Sequence, residues 1–381
     1  MVNLQEKIKA SIYLLSYFET LGFKNGEWEF NFGDSKINTP GSAGYVWISI
    51  MHHFFSIGGF SNIDISGWDS SDDTILMMAT GLACLAGGKE SDYIEQYTLV
   101  LDELKKSKRI SGINTLNTLD FIKRARSIKK LESRENMGGN GAAMRTSVIG
   151  LIFYQEKDIE MLIENSILAS RITHNYSIGY LGGLVTALFT SYAIRNIPVW
   201  KWIDNLLKLY ESNLIDKYME STNIYQNYLK EKDFFFEKWY YYREQRLSKF
   251  IYKPFEFLHF DNRMEDLDYY NDYQGNLKEK NYIRYGGSGL SATIIAYDSL
   301  LMSITSRSEP INLKSEVKFS LDSLLFFSTL HFGDNDTTGA ISGAWYGALY
   351  GFKNFDIEKL NQLEFNKKLE ILSNLVIKNL Q

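Results

Sequence analysis

Apolar residues recur along most of this chain at the three- and four-residue spacing of an amphipathic helix. Ile94, Tyr97, Leu101 and Leu104 follow this spacing, and so do the apolar residues between positions 159 and 167. Strand-like alternation is scarce, and the chain contains only 4 prolines, the residue that helix interiors tolerate least. The pattern predicts an all-α fold.

The predicted helices share this period and are separated by polar or glycine-containing turns. They cover residues 3–21, 73–86, 92–105, 115–127, 142–155, 158–171, 178–195, 199–243 in pieces, 289–306, 313–328, 337–350 and 357–378 in pieces. Residues 247–284 have no clean period, and we interpret them as a long loop or insertion. No repeat or linker divides the chain, so residues 1–381 are predicted to form a single domain.

Two of these predicted helices are rich in small residues. One contains Gly179, Gly182 and Gly183, and the other contains glycine or alanine at many positions between 339 and 348. Glycine costs a solvated helix about 0.5 to 1 kcal/mol per residue against alanine, so this enrichment needs a packing reason. We expect helices to approach each other closely at these two segments.

Composition narrows the function classes. The net charge of −5 and the pI near 5.7 argue against a general binder of nucleic acid or anionic membranes. Cys84 is the only cysteine, which excludes an intrachain disulfide framework and a cysteine-built zinc site. The N-terminus lacks a signal-peptide pattern, and the uncharged stretch 175–194 carries enough polar residues to be a buried helix rather than a membrane span. We therefore expect a cytoplasmic protein, and we expect it to be monomeric.

Two acidic clusters carry the clearest chemical signal. Ser71-Asp72-Asp73-Thr74 and Asp334-Asn335-Asp336-Thr337-Thr338 each open an apolar segment that is predicted to be helical. Their carboxylates and hydroxyls are the hard oxygen ligands that Mg²⁺ and Ca²⁺ prefer. Taken alone, the first cluster is also how an ordinary helix begins. Together, the clusters predict one divalent-metal site built from both ends of the chain.

Two rival interpretations of the second cluster fail. An EF-hand loop that starts at Asp334 needs a glutamate at its twelfth position, where this chain has Trp345. The string Asp334, Asp336 and Thr338 also resembles the nucleophile motif of haloacid-dehalogenase-type phosphatases. That motif follows a hydrophobic strand near the start of an α/β domain, whereas here a glycine precedes the string and only 43 residues follow it.

The two acids of the second cluster can converge on a metal only from a turn. Asp334 and Asp336 are two apart and would point in different directions on a helix, and Gly333 would permit the turn. Carboxylates about 4 Å apart repel by roughly 1 to 4 kcal/mol per pair, depending on the effective dielectric. A cluster of four carboxylates is therefore expected to bind cations, and two metal ions are more plausible than one.

Several further motifs occur in an order and at separations that resemble the ADP-ribosylglycohydrolase family over nearly the whole chain. Within the family, the motifs are most similar to those of ADP-ribosylarginine hydrolases. Besides the two acidic clusters, the matching segments are Leu21-Gly22-Phe23, Asn25-Gly26-Glu27-Trp28-Glu29-Phe30, Gly138-Gly139-Asn140-Gly141-Ala142-Ala143-Met144-Arg145, Arg171-Ile172-Thr173-His174, Gly179-Tyr180-Leu181-Gly182, Phe236-Glu237-Lys238-Trp239, Ile295-Ala296-Tyr297-Asp298 and His331-Phe332-Gly333.

The resemblance implies a compact, single-domain orthogonal helix bundle with a binuclear Mg²⁺ centre at the floor of an ADP-ribose cleft. It implies that Asp72 and Asp73 take part in catalysis, one of them managing the proton of the attacking water. Which of the two is the base stays open. The implied metal ligands are Ser71, Asp72, Asp73, Asp334, Asp336 and Thr337.

The resemblance also implies which residues contact ADP-ribose. The loop Gly138, Gly139, Asn140 and Gly141 would present backbone N–H groups to the diphosphate at a helix start. His174 would contact the substrate, and Gly287 and Ser288 would lie near the distal ribose. Without the resemblance, the loop is equally a plain helix-entry turn and His174 a core histidine. We interpret His331 as structural.

The chain departs from the family pattern at two places. Relatives usually carry Gly-Asp-Ala-Leu-Gly in the first helix, where this chain has Phe18-Glu19-Thr20-Leu21-Gly22. A His-Asp pair expected in the closest relatives is replaced by Leu290-Ser291. We expect these changes to reshape the rim of the cleft and to affect the leaving-group preference more than the metal site.

The expected function is hydrolysis of the N-glycosidic bond between ADP-ribose and arginine side chains of modified proteins. Two alternatives stay open: an O-glycosidic substrate such as ADP-ribosyl-serine or a small ADP-ribose conjugate, and a non-catalytic ADP-ribose-binding relative. The retention of Asp72, Asp73, Asp334 and Asp336 argues against the non-catalytic alternative.

Overall fold

The computed structural model describes residues 2–31, 43–106, 109, 111–252, 263, 267, 270, 285–304 and 319–380. Within these residues the regular structure is helical, which confirms the predicted all-α fold. Extended backbone pairs there only at two isolated bridges, Gly139 with Ser288 and Ile304 with Phe319. One hydrophobic core includes side chains from Ile8 to Val376.

Seventeen α-helices are described, and we number them in chain order. They are α1 Leu4–Phe23, α2 Ala43–Ser56, α3 Gly59–Asn62, α4 Asp72–Ala86, α5 Glu90–Lys106, α6 Ile113–Ala125, α7 Ser147–Ile152, α8 Ile159–Arg171, α9 Ser177–Ile194, α10 Trp202–Glu211, α11 Leu214–Met219, α12 Tyr225–Tyr242, α13 Ser248–Tyr252, α14 Gly289–Met302, α15 Leu321–Thr329, α16 Asn335–Tyr350 and α17 Asn366–Asn379. Short 3-10 segments include Lys24–Gly26, Glu29–Asn31, Ile128–Lys130, Glu135–Met137, Glu156–Asp158, Val199–Lys201 and Ile357–Gln362, and a π-helical turn spans Arg243–Leu247.

Helices α1 and α16 cross in the centre of the molecule at a stripe of glycines. A β-carbon added at Gly343 would lie 2.4 Å from the Leu14 carbonyl oxygen, and one at Gly347 would lie 2.4 Å from the Ala10 carbonyl carbon. The Ser11 hydroxyl donates a hydrogen bond to the Ala344 carbonyl oxygen across the same crossing (2.8 Å). The predicted packing reason for the small residues is confirmed, because only glycine lets the two backbones come this close.

Helix α9 is the second glycine-rich segment, and all of its residues are buried. It is the one described helix that is long and apolar enough to cross a membrane, but its complete burial inside the molecule is that of a core helix. A β-carbon at Gly182 would lie 2.5 Å from the Gly289 carbonyl oxygen, so α9 is packed tightly on the start of α14.

Three predictions about local structure were wrong or incomplete. Helices α2 and α3 were not predicted at all. The helix expected at 142–155 is limited to α7, because the preceding residues form hydrogen-bonded turns. Residues 247–252, interpreted as the start of a loop, are helical. Apart from positions 263, 267 and 270, the remainder of the predicted insertion lies outside the described residues.

The motif that ends at Asp298 serves the fold. Asp298 is fully buried on α14, and its carboxylate accepts hydrogen bonds from Tyr242 Oη (2.7 Å), Arg246 Nε and Arg263 Nε (2.6 Å). Two cations and a phenol compensate this buried charge, as an interior carboxylate requires. Asp298 and its three donors therefore hold the segment that follows α12 against the core.

Replacing Gly347 with alanine tests the central crossing. The added methyl group would force α1 and α16 apart, and we expect Gly347→Ala to lower the free energy of unfolding by about 1 to 3 kcal/mol, as overpacked cores do. Urea-induced unfolding followed by circular dichroism measures the change. Gly112→Ala is the control, because its β-carbon would meet Thr115 Oγ1 at 3.7 Å, an ordinary contact. Equal effects of the two substitutions would contradict the close crossing.

Candidate metal centre

The first acidic cluster forms the start of α4. Ser71 is the N-cap residue, and its hydroxyl oxygen accepts a hydrogen bond from the Asp73 backbone N–H (3.2 Å). Asp72 and Asp73 occupy the first helical turn, where negative charge interacts favourably with the helix dipole. The ordinary capping role considered for this cluster is therefore real, and it leaves both aspartate carboxyls at the end of the helix.

The second cluster forms the start of α16. Asp334 is the N-cap residue, and the Thr337 backbone N–H donates to Asp334 Oδ1 (3.4 Å) and Asp336 Oδ1 (2.9 Å). Asp334 thus lies before the helix and Asp336 in its first turn. Only glycine fits at position 333, just before Asp334, because a β-carbon there would lie 2.0 Å from the Tyr285 carbonyl oxygen.

The fold brings the two clusters together. Burial and then the nearby Asp336 carboxyl raise the pKa of Asp72 to about 7, and the same two causes raise the pKa of Asp73 well above its usual range. Burial also raises the pKa of Asp336, although hydrogen bonds, including one with the Ser71 hydroxyl, oppose the rise. Residues at opposite ends of the sequence therefore share one buried acidic site.

Glu29 joins this site and was not predicted to do so. One carboxylate oxygen each from Glu29, Asp334 and Asp336 lie within 4.8 Å of one another. Burial and the surrounding aspartates raise the pKa of Glu29 well above its usual range. The Phe30 backbone N–H donates to the Gly333 carbonyl oxygen (2.9 Å) and holds this segment beside the second cluster. The sequence did contain a signal for Glu29, because this acid lies in the segment Trp28-Glu29-Phe30, which matches the family.

Glu19 supports the site from α1. Its Oε2 accepts a hydrogen bond from the Ser71 backbone N–H (2.8 Å), and its Oε1 accepts one from the Thr74 hydroxyl. Burial raises the pKa of Glu19 to about 8. A β-carbon at Gly22 would lie 2.3 Å from the Asn335 carbonyl oxygen, so the same helix also presses against the start of α16.

The expectation that the departures from the family pattern reshape the rim of the cleft was wrong. The departing residues share complete burial: Phe18, Glu19, Leu290 and Ser291 are each 0% exposed. Phe18 packs against Gly343 on α16, Leu290 belongs to the hydrophobic core, and Ser291 completes the capping box of α14. These positions change the packing behind the site and not its open face.

The donor set fits a divalent cation. Asp73 Oδ2 is buried and has no hydrogen-bond partner among the described residues, a costly arrangement unless another group satisfies it. The neighbouring acids are carboxylates whose charges raise one another's pKa values. A divalent cation binds hard oxygen ligands of this kind and removes the repulsion between their charges.

The glycine loop lies directly beside the acidic cluster. Asn140 Nδ2 donates to Asp334 Oδ2 (2.7 Å) and to the Gly286 carbonyl oxygen (2.8 Å). The Gly289 backbone N–H donates to the Gly138 carbonyl oxygen (3.1 Å), which joins the loop to the turn before α14. Gly139 and Asn140 are half-buried, whereas Gly141 is buried. The expected helix start directly after the loop is wrong, because α7 begins only at Ser147.

His174 lies against this loop. A β-carbon at Gly141 would lie 2.6 Å from His174 Cε1, and one at Gly139 would lie 3.2 Å from its Nε2. Burial and then Arg145 lower the pKa of His174 to about 3, so the ring is neutral. The Thr173 hydroxyl accepts from Arg145 Nη2 (2.7 Å) and lies within hydrogen-bond distance of His174 Nδ1 (2.8 Å).

The turn before α14 supplies the other predicted contact residues. Gly287 is half-buried, whereas the Ser288 side chain is buried and caps α14, accepting a hydrogen bond from the Ser291 backbone N–H (3.0 Å). His331 supports the acidic turn, because its Nδ1 accepts from the Gly333 backbone N–H (3.1 Å) and its Nε2 lies 2.8 Å from the Thr338 hydroxyl. All predicted site residues therefore lie in one region.

A sequence model of the ADP-ribosylglycohydrolase family matches residues 4–380. The chain belongs to the ADP-ribosylglycohydrolase family. The "Putative ADP-ribosyl glycohydrolase L444" of Acanthamoeba polyphaga mimivirus is 32% identical over 374 residues, which cover 95% of this chain and 68% of that protein. The "ADP-ribosylhydrolase ARH1" of Dictyostelium discoideum is 31% identical over an alignment of 402 residues, which covers 97% of this chain and 93% of that protein.

A solved structure shares the fold of this family member. The "ADP-ribosylglycohydrolase-related protein complex" superimposes with a TM-score of 0.58 at 16% sequence identity and covers 99% of both chains. Membership in the ADP-ribosylglycohydrolase family makes the chain a glycohydrolase that acts on ADP-ribosylated substrates. The family typically uses divalent metals, and the acidic cluster is where this chain could hold one.

The raised pKa values predict how the stability of the cation-free protein depends on pH. The folded values near 7 for Asp72 and 8 for Glu19 lie above the usual 3.8 and 4.5, so the folded state binds more protons than the unfolded state between these limits. We expect the melting temperature in EDTA to fall as the pH rises from 5 to 8. A divalent cation should reverse this fall, because it replaces protons on the carboxylates.

Thermal unfolding at several pH values, with EDTA and with excess divalent cation, measures both effects. A melting temperature in EDTA that rises from pH 5 to pH 8 would contradict the assignment of raised pKa values to the cluster.

Proposed function

We propose that this ADP-ribosylglycohydrolase is a Mg²⁺-dependent enzyme that removes ADP-ribose from arginine side chains of modified proteins. The convergence of Asp72, Asp73, Asp334, Asp336 and Glu29 is the observation that carries the proposal. Motif similarity to ADP-ribosylarginine hydrolases supports the arginine linkage, and a relative named ADP-ribosylhydrolase ARH1 agrees with the reaction class.

The proposed centre would hold two Mg²⁺ ions. The side chains that would hold them are Ser71, Asp72, Asp73, Asp334, Asp336 and Thr337, and Glu29 is a further candidate from its position. Bound Mg²⁺ supplies positive charge that polarises and orients substrate hydroxyls and water. Asn140 supports this arrangement, because its amide donates to Asp334 and keeps that carboxylate oriented.

The neighbouring loops would bind ADP-ribose. The half-buried Gly139 and Asn140 belong to the loop whose backbone N–H groups we assign to the diphosphate, and Gly138 and Gly141 anchor it on either side. The neutral His174 ring would form a hydrogen bond with the substrate from Nε2 without adding a positive charge. Gly287 and Ser288 border the loop and would lie near the distal ribose.

The reaction breaks the bond between the anomeric carbon of the ribose and the guanidine nitrogen. A water oxygen bonds to that carbon, and the proton that the water loses passes through a site carboxylate as the leaving nitrogen becomes protonated. Asp72 and Asp73 are the proposed catalytic residues, and Glu29 is a candidate for the same proton transfer.

Cleavage of an O-glycosidic bond, as in ADP-ribosyl-serine or a small ADP-ribose conjugate, is the second candidate. The observation that favours it is the replacement of the expected His-Asp pair by Leu290-Ser291. A change in packing behind the site can alter the leaving group that the cleft accepts while the metal ligands stay the same.

Release of ADP-ribose from two defined substrates separates these candidates. We expect Mg²⁺-dependent release from arginine-modified protein and much slower release from serine-modified protein, measured by chromatography of free ADP-ribose with an EDTA control. The reverse preference would support the O-glycosidic alternative. If the protein bound ADP-ribose but released it from neither substrate, both enzymatic candidates would be refuted.

Substitution of the proposed catalytic residues tests their role. Asp72→Asn and Asp73→Asn should each lower turnover at least 100-fold, because each removes a metal ligand or proton acceptor. Glu29→Gln should lower turnover and weaken Mg²⁺ binding. Asp322→Asn is the matched control, since Asp322 lies in the first turn of α15 outside the site. Unchanged turnover in Asp72→Asn and Asp73→Asn would refute the assignment.

A further inference from the structure

The backbone of Ser70, just before the first turn of α4, is held by an ion pair. The Ser70 backbone N–H donates to Glu364 Oε2 (3.0 Å), and the Ser70 carbonyl oxygen accepts from Arg109 Nη1. Arg109 and Glu364 also bind each other through Nη1 to Oε2 (2.8 Å) and Nη2 to Oε1 (2.6 Å). The three groups close a ring of hydrogen bonds around Ser70.

This ion pair differs from an ordinary surface pair. Its geometry is bidentate, the Arg109 side chain is 10% exposed, and the Glu364 side chain is 29% exposed. The Arg109 guanidinium also lies over the Phe365 ring, 5.4 Å from its centroid. Bidentate, partly desolvated pairs are the ones that hold a fixed geometry, whereas exposed pairs contribute little.

The neighbouring backbone amides are held in the same way by other parts of the chain. The Asp69 N–H donates to Asn25 Oδ1 (2.7 Å), and the Ser71 N–H donates to Glu19 Oε2 (2.8 Å). Three consecutive amides therefore each have a side-chain acceptor from a distant segment. The position of Ser71 and of the two aspartates after it is set by these contacts.

We propose that Arg109 and Glu364 are positioning residues of the metal centre. They fix the Ser70 backbone on both sides of its α-carbon and thereby place Ser71, Asp72 and Asp73 at the distances that cation binding requires. The inference rests on the proposed function, because it takes the acidic cluster to be a cation site. Arg109 lies between α5 and α6, and Glu364 lies before α17. Through the ion pair, both segments help to position the metal centre.

A purely structural role for the ion pair predicts a different result. In that case its loss would lower the stability of the whole protein and leave the cation affinity of the folded protein unchanged. A positioning role changes cation affinity and the local protection of the amides, because metal-site geometry depends on the groups that orient the ligands.

The test uses two near-isosteric substitutions in the full chain. Glu364→Gln keeps an acceptor for the Ser70 N–H but removes the charge opposite Arg109, and Arg109→Lys keeps the charge but removes the bidentate geometry. Titration calorimetry with Mg²⁺ and Mn²⁺ measures the dissociation constants. Hydrogen exchange of a peptide covering residues 69–73 in EDTA measures amide protection without any cation.

We expect both substitutions to raise the cation dissociation constant about 10- to 100-fold and to speed hydrogen exchange at Ser70 and Ser71. Turnover at saturating Mg²⁺ should stay within a few-fold of the unsubstituted protein, while the Mg²⁺ concentration for half-maximal activity rises. Asp216→Asn is the matched control, because it breaks the similarly buried Lys232–Asp216 pair, whose side chains are 15% and 16% exposed.

Unchanged cation affinity and unchanged exchange at Ser70 and Ser71 in both variants would overturn the inference, whatever happens to the melting temperature. An equal loss of affinity in Asp216→Asn would overturn it as well. If the unsubstituted protein bound neither cation, the proposed metal centre would fail, and this inference with it. The titration of the unsubstituted protein therefore separates the two failures.

Discussion

Mutual repulsion among buried carboxylates is the constraint on which the rest of this structure depends. The acidic side chains lie where α4 and α16 begin, so the positive ends of two helix dipoles face them. That interaction is worth about 0.3 to 1 kcal/mol per group, which is smaller than the repulsion between several carboxylates a few ångströms apart. The fold must therefore hold the acids in place, with protons or a cation compensating their charge.

Helix α1 is the element that makes this possible. Its glycine-mediated crossing fixes α16, Gly22 brings it against Asn335, and Glu19 binds the start of α4. One helix thus sets the relative position of both acidic clusters. The longer acid in place of the usual aspartate in this helix reaches the Ser71 amide and the Thr74 hydroxyl, which accounts for its burial behind the site.

Much of the fold could be predicted from the sequence, because helices such as α5 bury one face and keep a clear apolar period. Helix α2 was missed although its buried residues Val46, Ile50 and Phe54 are spaced four apart, because exposed apolar residues such as Ile48 and Phe55 obscure the boundary between its two faces. The Gly138–Gly141 motif was visible, but the turns after it were not, because alanine and methionine there suit a helix equally well.

The site was only partly predictable for a similar reason. The acids were conspicuous, and their ligand chemistry predicted a shared site, although periodicity could not show that they converge. Glu29 was missed because it lies on a short 3-10 segment with no repeating pattern. The contact between Arg109 and Glu364 joins positions 255 residues apart, a separation at which local sequence carries no information about pairing.

The crossing of α1 and α16 also has a consequence for the order in which the protein can be made. Ser11 bonds to Ala344, which is 333 residues further along, so α1 can contact the start of α4 early but lacks α16 until most of the chain has been synthesised. Contacts between residues so far apart in sequence slow folding, and α1 exposes apolar surface until they form. An emerging chain of this protein should therefore need protection by chaperones at its first helix until the last quarter has left the ribosome.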